Sequence, residues 1–220
     1  MTPVPPSSVL FMLQSGYSAE RIMPIMLDSI NGINNESNRL KRPADLKFTR
    51  LVELVREGQL GGAIQIRIER PKDGGESSVL IFGPSKDPVL AAKGREIKSI
   101  LGLKPDLREL KVTYGGYSGK SDEIDMLTRS MLQIMLEFAA FVQVPEADVA
   151  QGKTTPGLVE ASDAALSGPP LRVLVTDTAP QDAYVATQYN RRWYWIADTD
   201  IQSKYTFGII MCYFRSQIQE

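Results

Sequence analysis

The clearest structural pattern in the sequence lies at residues 63–82, AIQIRIERPKDGGESSVLIF. From 63 to 70, isoleucines alternate with polar residues, which is the period-two pattern of a strand with one buried face. The turn-forming residues 72–75, KDGG, come next, and 78–82 is apolar again. The stretch therefore predicts a β-hairpin with strands at 63–70 and 78–82.

Further strands are predicted outward from this hairpin. The same short apolar or alternating character occurs at 107–114, 171–176, 183–189 and 193–196. Asn190 and Arg191 lie between the last two segments and provide the turn that joins them. The chain therefore carries about six predicted strands.

Helical spacing of apolar residues predicts helices at 18–30, 43–57, about 87–101 after a lead-in at 84–86, 122–142 and 205–218. The first of these either kinks at Pro24 or begins there after a short turn, and Asn31 with Gly32 ends it. The longest, 122–142, follows a capping Ser121, has an acidic first turn and is apolar nearly all round from Met131. We expect it to be the central buried helix.

Together these elements predict an α+β fold. Its antiparallel or mixed sheet of about six strands packs against the long central helix and additional helices. Residues 1–17, rich in proline and serine, are predicted to be a flexible N-terminal tether. Residues 18–220 form a single α+β domain with a long loop at 145–170, which is where a domain boundary would fall if there is one.

Composition removes several classes of function. The 25 Lys and Arg residues nearly balance the 26 Asp and Glu, so the net charge is −1, which argues against a nucleic-acid binder. The chain has no histidine, which excludes His-dependent triads, His-ligated metals and imidazole bases. Cys212 is the only cysteine, so no internal disulfide forms. It fits either a reducing cytosol or a buried thiol in an oxidising compartment.

The start of the chain carries no intact secretory signal. Residues 1–8 contain no Lys or Arg, and the apolar run 9–13 is short. We expect either a mature domain whose leader or lipid anchor was removed, or a cytosolic protein with a proline-rich start. No segment reaches the roughly 18 apolar residues of a membrane span.

Residues 115–121, GGYSGKS, resemble a phosphate-binding loop between a strand and a helix. Lys120 and Ser121 would bind phosphate, with Asp177 on the metal side. The spacing fails, because Gly115 and Gly119 have three residues between them and the signature requires four. A glycine-rich turn before a capped helix is the favoured interpretation.

The C-terminal third contains four carboxylates that are candidates for acid–base or metal chemistry: Asp177, Asp182, Asp198 and Asp200. The 198–200 segment lacks the glycine and the distal glutamate of a calcium loop. Asp198 is expected to cap the last helix, with Ser203 as a second cap. We predict no metal and no cofactor.

A basic and aromatic cluster surrounds the predicted turn at 190–191. It contains both tryptophans of the chain and comprises Tyr189, Arg191, Arg192, Trp193, Tyr194 and Trp195. Alternation places Trp193 and Trp195 on one face of the strand and Tyr194 on the other. One face is expected to cover the core, and the rest of the cluster is a candidate surface for a protein partner.

Several segments resemble an uncharacterised family of bacterial proteins whose members are often labelled hypothetical proteins or lipoproteins. The similar segments are 182–189, DAYVATQY; 193–196, WYWI; 198–200, DTD; 203–207, SKYTF; 28–32, DSING; and 127–134, LTRSMLQI. The closing segment 182–207 carries the most specific similarity. The resemblance implies a bacterial source and attachment to the cell envelope, and it transfers no catalytic residue.

These observations predict a non-enzymatic protein on the periplasmic side of the bacterial envelope, with the cytoplasm as the alternative location. It acts by binding a protein partner through Arg191, Arg192, Trp193, Tyr194 and Trp195, and binds no nucleic acid. Membrane attachment would require an N-terminal lipid anchor that this chain lacks. The alternative is a small His-independent enzyme or ligand-binding protein that uses carboxylates and lysine on a phosphate- or sugar-containing ligand.

Overall fold

The computed structural model describes residues 3–37, 42–62, 64–69, 77–83, 87–157 and 171–218. These residues form seven helices, a mixed six-stranded sheet and a separate three-stranded sheet, which is the predicted α+β class. The chain divides into two compact units, where the sequence predicts one domain over 18–220. We call Met1–Ile134 the N-terminal unit and Met135–Glu220 the C-terminal unit.

The N-terminal unit contains the six-stranded sheet and four helices. The helices are α1 (Pro6–Gln14), α2 (Ala19–Met26), α3 (Leu46–Leu60) and α4 (Pro88–Ile100). The strands are β1 (Leu27–Ile30), β2 (Ile33–Asn34), β3 (Ile64–Glu69), β4 (Ser77–Phe82), β5 (Glu109–Tyr114) and β6 (Glu123–Thr128). They lie in the order β2-β1-β6-β5-β4-β3, and only β5 and β6 pair in parallel.

The predicted hairpin is confirmed as β3 and β4, which pair antiparallel from Ile64 opposite Phe82 to Glu69 opposite Ser77. The predicted turn at 72–75 and the lead-in at 84–86 lie outside the described residues. Apolar side chains of the sheet and of α1 to α4 meet in one interior. Because each large buried side chain contributes about 1.5–3 kcal/mol, this interior holds the helices against the sheet.

The predicted flexible tether at 1–17 is corrected by the structure. Residues 6–14 form α1, and Val4 and Val9 are completely buried. Pro6 occupies the first turn, where a missing N–H costs nothing, so the proline-rich start begins a helix. The apolar run at 9–13 supplies most of the buried side of this short helix.

The predicted long helix at 122–142 is wrong in its first half. Residues 123–128 form β6, a central strand between β1 and β5, and α5 (Met131–Ala139) is the only helix in this segment. The acidic residues that suggested a helix start lie in or next to this strand. A central strand is buried on both faces, so it lacks the clear alternation that reveals a half-exposed strand. The prediction of the α+β class is confirmed, but residues 122–142 do not form the long central helix that was expected.

The first predicted helix, 18–30, is also shorter in the structure. It ends at Met26 with Pro24 inside it, and the chain continues directly into β1. Asn31 and Gly32 have positive φ angles of 45° and 76° and join β1 to β2. The sequence therefore predicted a turn at these two residues, but the turn closes a hairpin instead of ending a helix.

The C-terminal unit contains the three-stranded sheet, in the order β7-β9-β8. Its further elements are α6 (Glu146–Ala150), β7 (Leu174–Thr176), β8 (Ala183–Tyr189), β9 (Arg192–Ala197) and α7 (Ile201–Ile218). The predictions for β8 and β9 are confirmed, β7 is shorter than predicted, and α7 starts four residues early. The second half of the predicted 145–170 loop, residues 158–170, lies outside the described residues. None of the described helices has the length and apolar character needed to span a bilayer.

Candidate functional site

The β8–β9 hairpin closes through Asn190 and Arg191. Both have positive φ angles, 49° and 66°, as a two-residue type I′ turn requires. Asparagine tolerates this conformation, but for arginine the left-handed region costs about 1–2 kcal/mol. Arg191 is exposed, and it has no hydrogen-bond or ion-pair partner among the described residues.

Strand β9 is the central strand, and its aromatic residues are half-buried. Trp195 lies opposite Ala186 and Leu174, and Trp193 lies opposite Gln188 of β8. Alternation puts the two tryptophans on one face of the sheet and Tyr194 on the other. Neither face of β9 is therefore fully covered by the unit.

Arg192 is held by two carboxylates. Its Nη1 lies 2.9 Å from an oxygen of Asp148, at α6, and its Nε lies 3.5 Å from an oxygen of Asp177. The Arg192 side chain is 27% exposed. It therefore ties β9 to α6, and of the two arginines predicted to contact a partner, Arg191 is the one left unengaged.

The β7 edge of this sheet is closed by the preceding chain. The N–H of Gln143 donates to the carbonyl of Val173, and the N–H of Val173 donates to the carbonyl of Phe141. The N–H of Val175 donates to the side-chain oxygen of Gln143 at 3.1 Å. An additional strand therefore has no access at β7.

The β8 edge is open. Among the described residues, the backbone of β8 pairs only with β9, and residues 186–189 are exposed. The strand has the sequence AYVATQY, with no charged residue and no proline. Tyr184 and Tyr189 are 45% and 65% exposed. Natural edge strands are commonly protected by charges or proline, and β8 has neither.

The register shows which N–H groups point outward from β8. Tyr189 and Arg192 flank the two-residue turn, so they form a hydrogen-bonded pair. Because such pairs alternate along an antiparallel ladder, Thr187 and Tyr194 form the next one. Gln188 lies between them, so its N–H points away from β9.

The start of α7 accounts for the carboxylates considered as a metal site. Asp200, and not the predicted Asp198, caps the helix: it accepts from the Ser203 N–H at 3.0 Å and from the Ser203 hydroxyl at 2.8 Å. Asp198 pairs with Lys204 at 2.7 Å. Lys204 also lies 4.9 Å from the ring centre of Tyr184, which fixes one side of that tyrosine. Asp182 accepts the N–H of Asp198 through its backbone carbonyl.

The glycine-rich segment 115–121 belongs to the connection between β5 and β6. Its Ser118 donates both its N–H, at 2.7 Å, and its hydroxyl, at 2.6 Å, to the buried carboxylate of Asp125. Thr113 donates its hydroxyl to the same carboxylate at 2.8 Å. The loop is thus folded around an anion of the protein itself, which occupies donors that a phosphate loop would offer to its ligand.

The environment of Asp125 stabilises its charged form. Burial opposes ionisation, but the hydrogen bonds from Ser118 and Thr113 outweigh it and hold the pKa of Asp125 below the usual aspartate value. The Asp125 N–H donates to the side chain of Asn31 at 2.8 Å, and the Asn31 N–H donates to the Asp125 carbonyl at 2.8 Å. We call Asn31, Thr113, Ser118 and Asp125 the buried carboxylate cluster.

The residues of the enzymatic alternative are engaged in structural contacts and belong to two different units. Lys120 pairs with Glu123 at 2.7 Å, and the hydrogen bond and charge of Glu123 raise the pKa of Lys120. The carbonyl of Ser121 accepts the N–H of Lys104. Asp177 belongs to the C-terminal unit and is 88% exposed at its side chain. Within the described ranges, no group of three or more acidic or cysteine side chains is placed to hold a metal ion.

Sequence reasoning found the aromatic cluster but missed the open edge beside it. It singled out β9, whose aromatic residues are prominent, whereas β8 offers the exposed backbone. The sequence does carry one signal, because AYVATQY is uncharged along its whole length. What it does not carry is the strand order, which decides that β8 and not β9 lies at the edge.

Comparisons with known protein families, with curated proteins and with solved structures find no match to this chain. The resemblance to the bacterial family stays a prediction. The function is inferred below from the contacts, charges and exposure of the described residues.

Proposed function

We propose that this protein is a non-enzymatic binding protein that adds an extended segment of a protein partner to the open edge of β8. The observation that carries the proposal is the edge of this strand: residues 186–189 are exposed, the strand has no charged residue, and within the described part of the chain its backbone pairs only with β9. An extended peptide that joins a sheet edge gains affinity from main-chain hydrogen bonds and specificity from side-chain contacts. Tyr184 and Tyr189 are the exposed aromatic residues that would contact the added strand.

The closed β7 edge supports this choice of surface. The same three-stranded sheet has one edge whose backbone groups are bonded to residues 141–143 and one edge whose backbone groups are not. Unpaired strand edges promote aggregation, so proteins usually protect them. The register of β8 shifts between Ala183 and Val185, but residues 186–189 form an edge without charge or proline, which supports a role in binding a partner.

Arg191 provides a second, independent argument for the proposal. Glycine would occupy its left-handed position without strain, yet an arginine is present. Its guanidinium is exposed at the end of β8 and would pair with a carboxylate of the bound segment. Arg192 contributes indirectly, because its ion pairs with Asp148 and Asp177 hold β9 in place.

We propose that the protein lies on the periplasmic side of the bacterial envelope and meets its partner there. The resemblance to the bacterial family is the only support for this location. One observation favours the cytoplasmic alternative: Cys212 is exposed, not buried. An accessible unpaired thiol is oxidised readily outside a reducing compartment. The partner should therefore be sought in periplasmic and in cytoplasmic extracts.

The test uses the 220-residue chain as bait with two variants at Gln188. Gln188→Pro removes an outward-pointing N–H from the open edge, and Gln188→Ala retains that N–H while it removes the same side chain. We expect a partner that is captured by wild type and by Gln188→Ala but lost by Gln188→Pro. Hydrogen exchange on the complex, reassembled from purified components, should then show slowed exchange at 184–189.

Two outcomes contradict the proposal. In the first, a purified partner binds Gln188→Pro as tightly as wild type, or its binding protects amides elsewhere in the chain. In the second, the chain self-associates in sedimentation with protection at 184–189. The open edge would then pair with a second copy of the same protein and not with a different partner.

A further inference from the structure

The N-terminal unit contains an open groove of about 640 Å³, independent of the β8 edge. It is formed by the end of α1, the second half of α3, and strands β3 and β4. Its volume falls in the range of roughly 300–1,000 Å³ that is usual for pockets that bind small molecules. The groove therefore has the size to receive a ligand.

Beside the groove, the interior of the unit contains an apolar cavity of about 40 Å³. The two spaces share four lining residues: Leu13, Val55, Ile64 and Leu80. All side chains that line the cavity are apolar, so no side chain there can hold a water molecule by hydrogen bonding. The inner end of the groove is therefore suited to hydrocarbon.

The outer part of the groove carries both apolar and amide side chains, because the helices leave β3 partly uncovered and Gln14, Gln59 and Gln65 also line it. Ile64 and Ile66 are only half-buried, and Leu60 at the end of α3 is 72% exposed. Helix α3 ends there, and Gly61 and Gly62 turn the chain away. An apolar chain in the groove would cover these side chains and gain about 25 cal/mol per Å² of apolar surface.

Of the described residues that line the groove, Arg56 is the single charged one, and it is half-buried. No hydrogen bond or ion pair links it to any described residue. Its neighbours on α3 are engaged: Glu53 pairs with Arg50, and Glu57 pairs with Lys93. Gln59 bonds to the backbone of 13–19 through both ends of its amide. The groove thus presents one positive charge, without a partner among the described residues, beside the apolar side chains of Val55, Ile64 and Leu80.

We propose that this groove binds an amphipathic anion, an unbranched hydrocarbon chain with an anionic group at one end. The chain lies along the apolar wall formed by Val55, Ile64 and Leu80, with its end toward the interior cavity. The anionic group pairs with the guanidinium of Arg56. A carboxylate and a phosphate have the same essential chemistry here, because each accepts two hydrogen bonds from arginine.

The test is titration calorimetry on the 220-residue chain with four probes below their micellar concentrations: decanoate, decyl phosphate, decanol and acetate. We expect both decyl anions to bind, decanol to bind about tenfold or more weakly, since it lacks the charge-assisted bond, and acetate not to bind. The ratio of decanoate to decyl phosphate affinity distinguishes a free fatty acid from a phosphate-headed lipid as the natural source.

Two variants and one control locate the binding. Arg56→Gln should lower the affinity for decanoate about tenfold and leave decanol unchanged, whereas Ile66→Gln should weaken both. Lys47→Gln removes the same charge from an exposed residue of α3 outside the groove and should change neither.

The proposal is overturned if decanoate does not bind at millimolar concentration, if Arg56→Gln binds it as wild type does, or if Lys47→Gln weakens it equally. Circular dichroism of each variant confirms that it is folded. Because the groove lies in the N-terminal unit, these results leave the proposal for the β8 edge unaffected.

Discussion

The six-stranded sheet of the N-terminal unit and the three-stranded sheet of the C-terminal unit both carry acidic side chains, but in different surroundings. In the first, Asp125 is 4% exposed and accepts three hydrogen bonds. At the second, Asp177 directly follows β7, is 88% exposed at its side chain and lies 3.5 Å from Arg192. The comparison indicates that the carboxylate in the first sheet helps to fix the fold, whereas the carboxylate at the second is largely solvated.

The largest expected effect is at Asp125. Asp125→Ala leaves the N–H and hydroxyl of Ser118 and the hydroxyl of Thr113 without an acceptor, so we expect a loss of about 3 kcal/mol in the free energy of unfolding. Urea denaturation measures it. The matched change Asp177→Ala should cost less than about 0.5 kcal/mol, because exposed ion pairs contribute little. If both variants lose the same free energy of unfolding, the two carboxylates do not differ in their contribution to the fold.

Acid should destabilise the protein by protonating the same carboxylate, that of Asp125. The pKa of Asp125 is lower in the folded protein than its ordinary value, so its contribution to stability is present above the ordinary aspartate pKa of about 4. That contribution is lost as the pH falls below this value toward the folded pKa. The free energy of unfolding, measured from pH 6 to pH 2, should fall less for Asp125→Asn than for wild type. Parallel curves would show that Asp125 is not the titrating group.

The register of β8 predicts different effects for prolines at neighbouring positions. Thr187→Pro removes an inward N–H and leaves the Tyr194 carbonyl without its donor, so we expect a loss of about 2 kcal/mol. Gln188→Pro removes an outward N–H and should cost less than about 1 kcal/mol, as prolines do at edge positions. Urea midpoints of the two variants measure the difference, and the reverse order would mean that the outward side of β8 has been misassigned.

The smallest expected effect is a gain at the hairpin turn. Arg191→Gly relieves a left-handed arginine, and after the entropic cost of glycine we expect stabilisation of roughly 0.5 kcal/mol. The same variant should weaken the binding of the proposed partner at β8. Asn190→Gly serves as the control, because asparagine tolerates the conformation and its replacement should change stability less. A destabilised Arg191→Gly would show that arginine makes a contact of its own in the turn.

Patterns that depend on neighbouring residues predicted much of the fold. The β3–β4 hairpin, the β8–β9 hairpin, and helices α3 and α4 follow from alternation, turn residues and helical spacing. The aromatic cluster was found in the same way. Prediction failed at 122–142 because the acidic residues and Ser121 resemble a helix start, while the pairing of β6 with β1 and β5 depends on distant parts of the chain.

The sequence by itself determined the α+β class, the lack of imidazole chemistry and the positions of most elements, because periodicity and composition are local properties. Three features follow from the tertiary structure alone: β6 is a strand, β8 lies at a sheet edge, and Arg56 lines a groove together with Ile64 and Leu80. Each of these depends on contacts between residues far apart in sequence, such as the hydrogen bonds between Asn31 and Asp125. Such contacts leave no local pattern, because either partner alone is compatible with several structures.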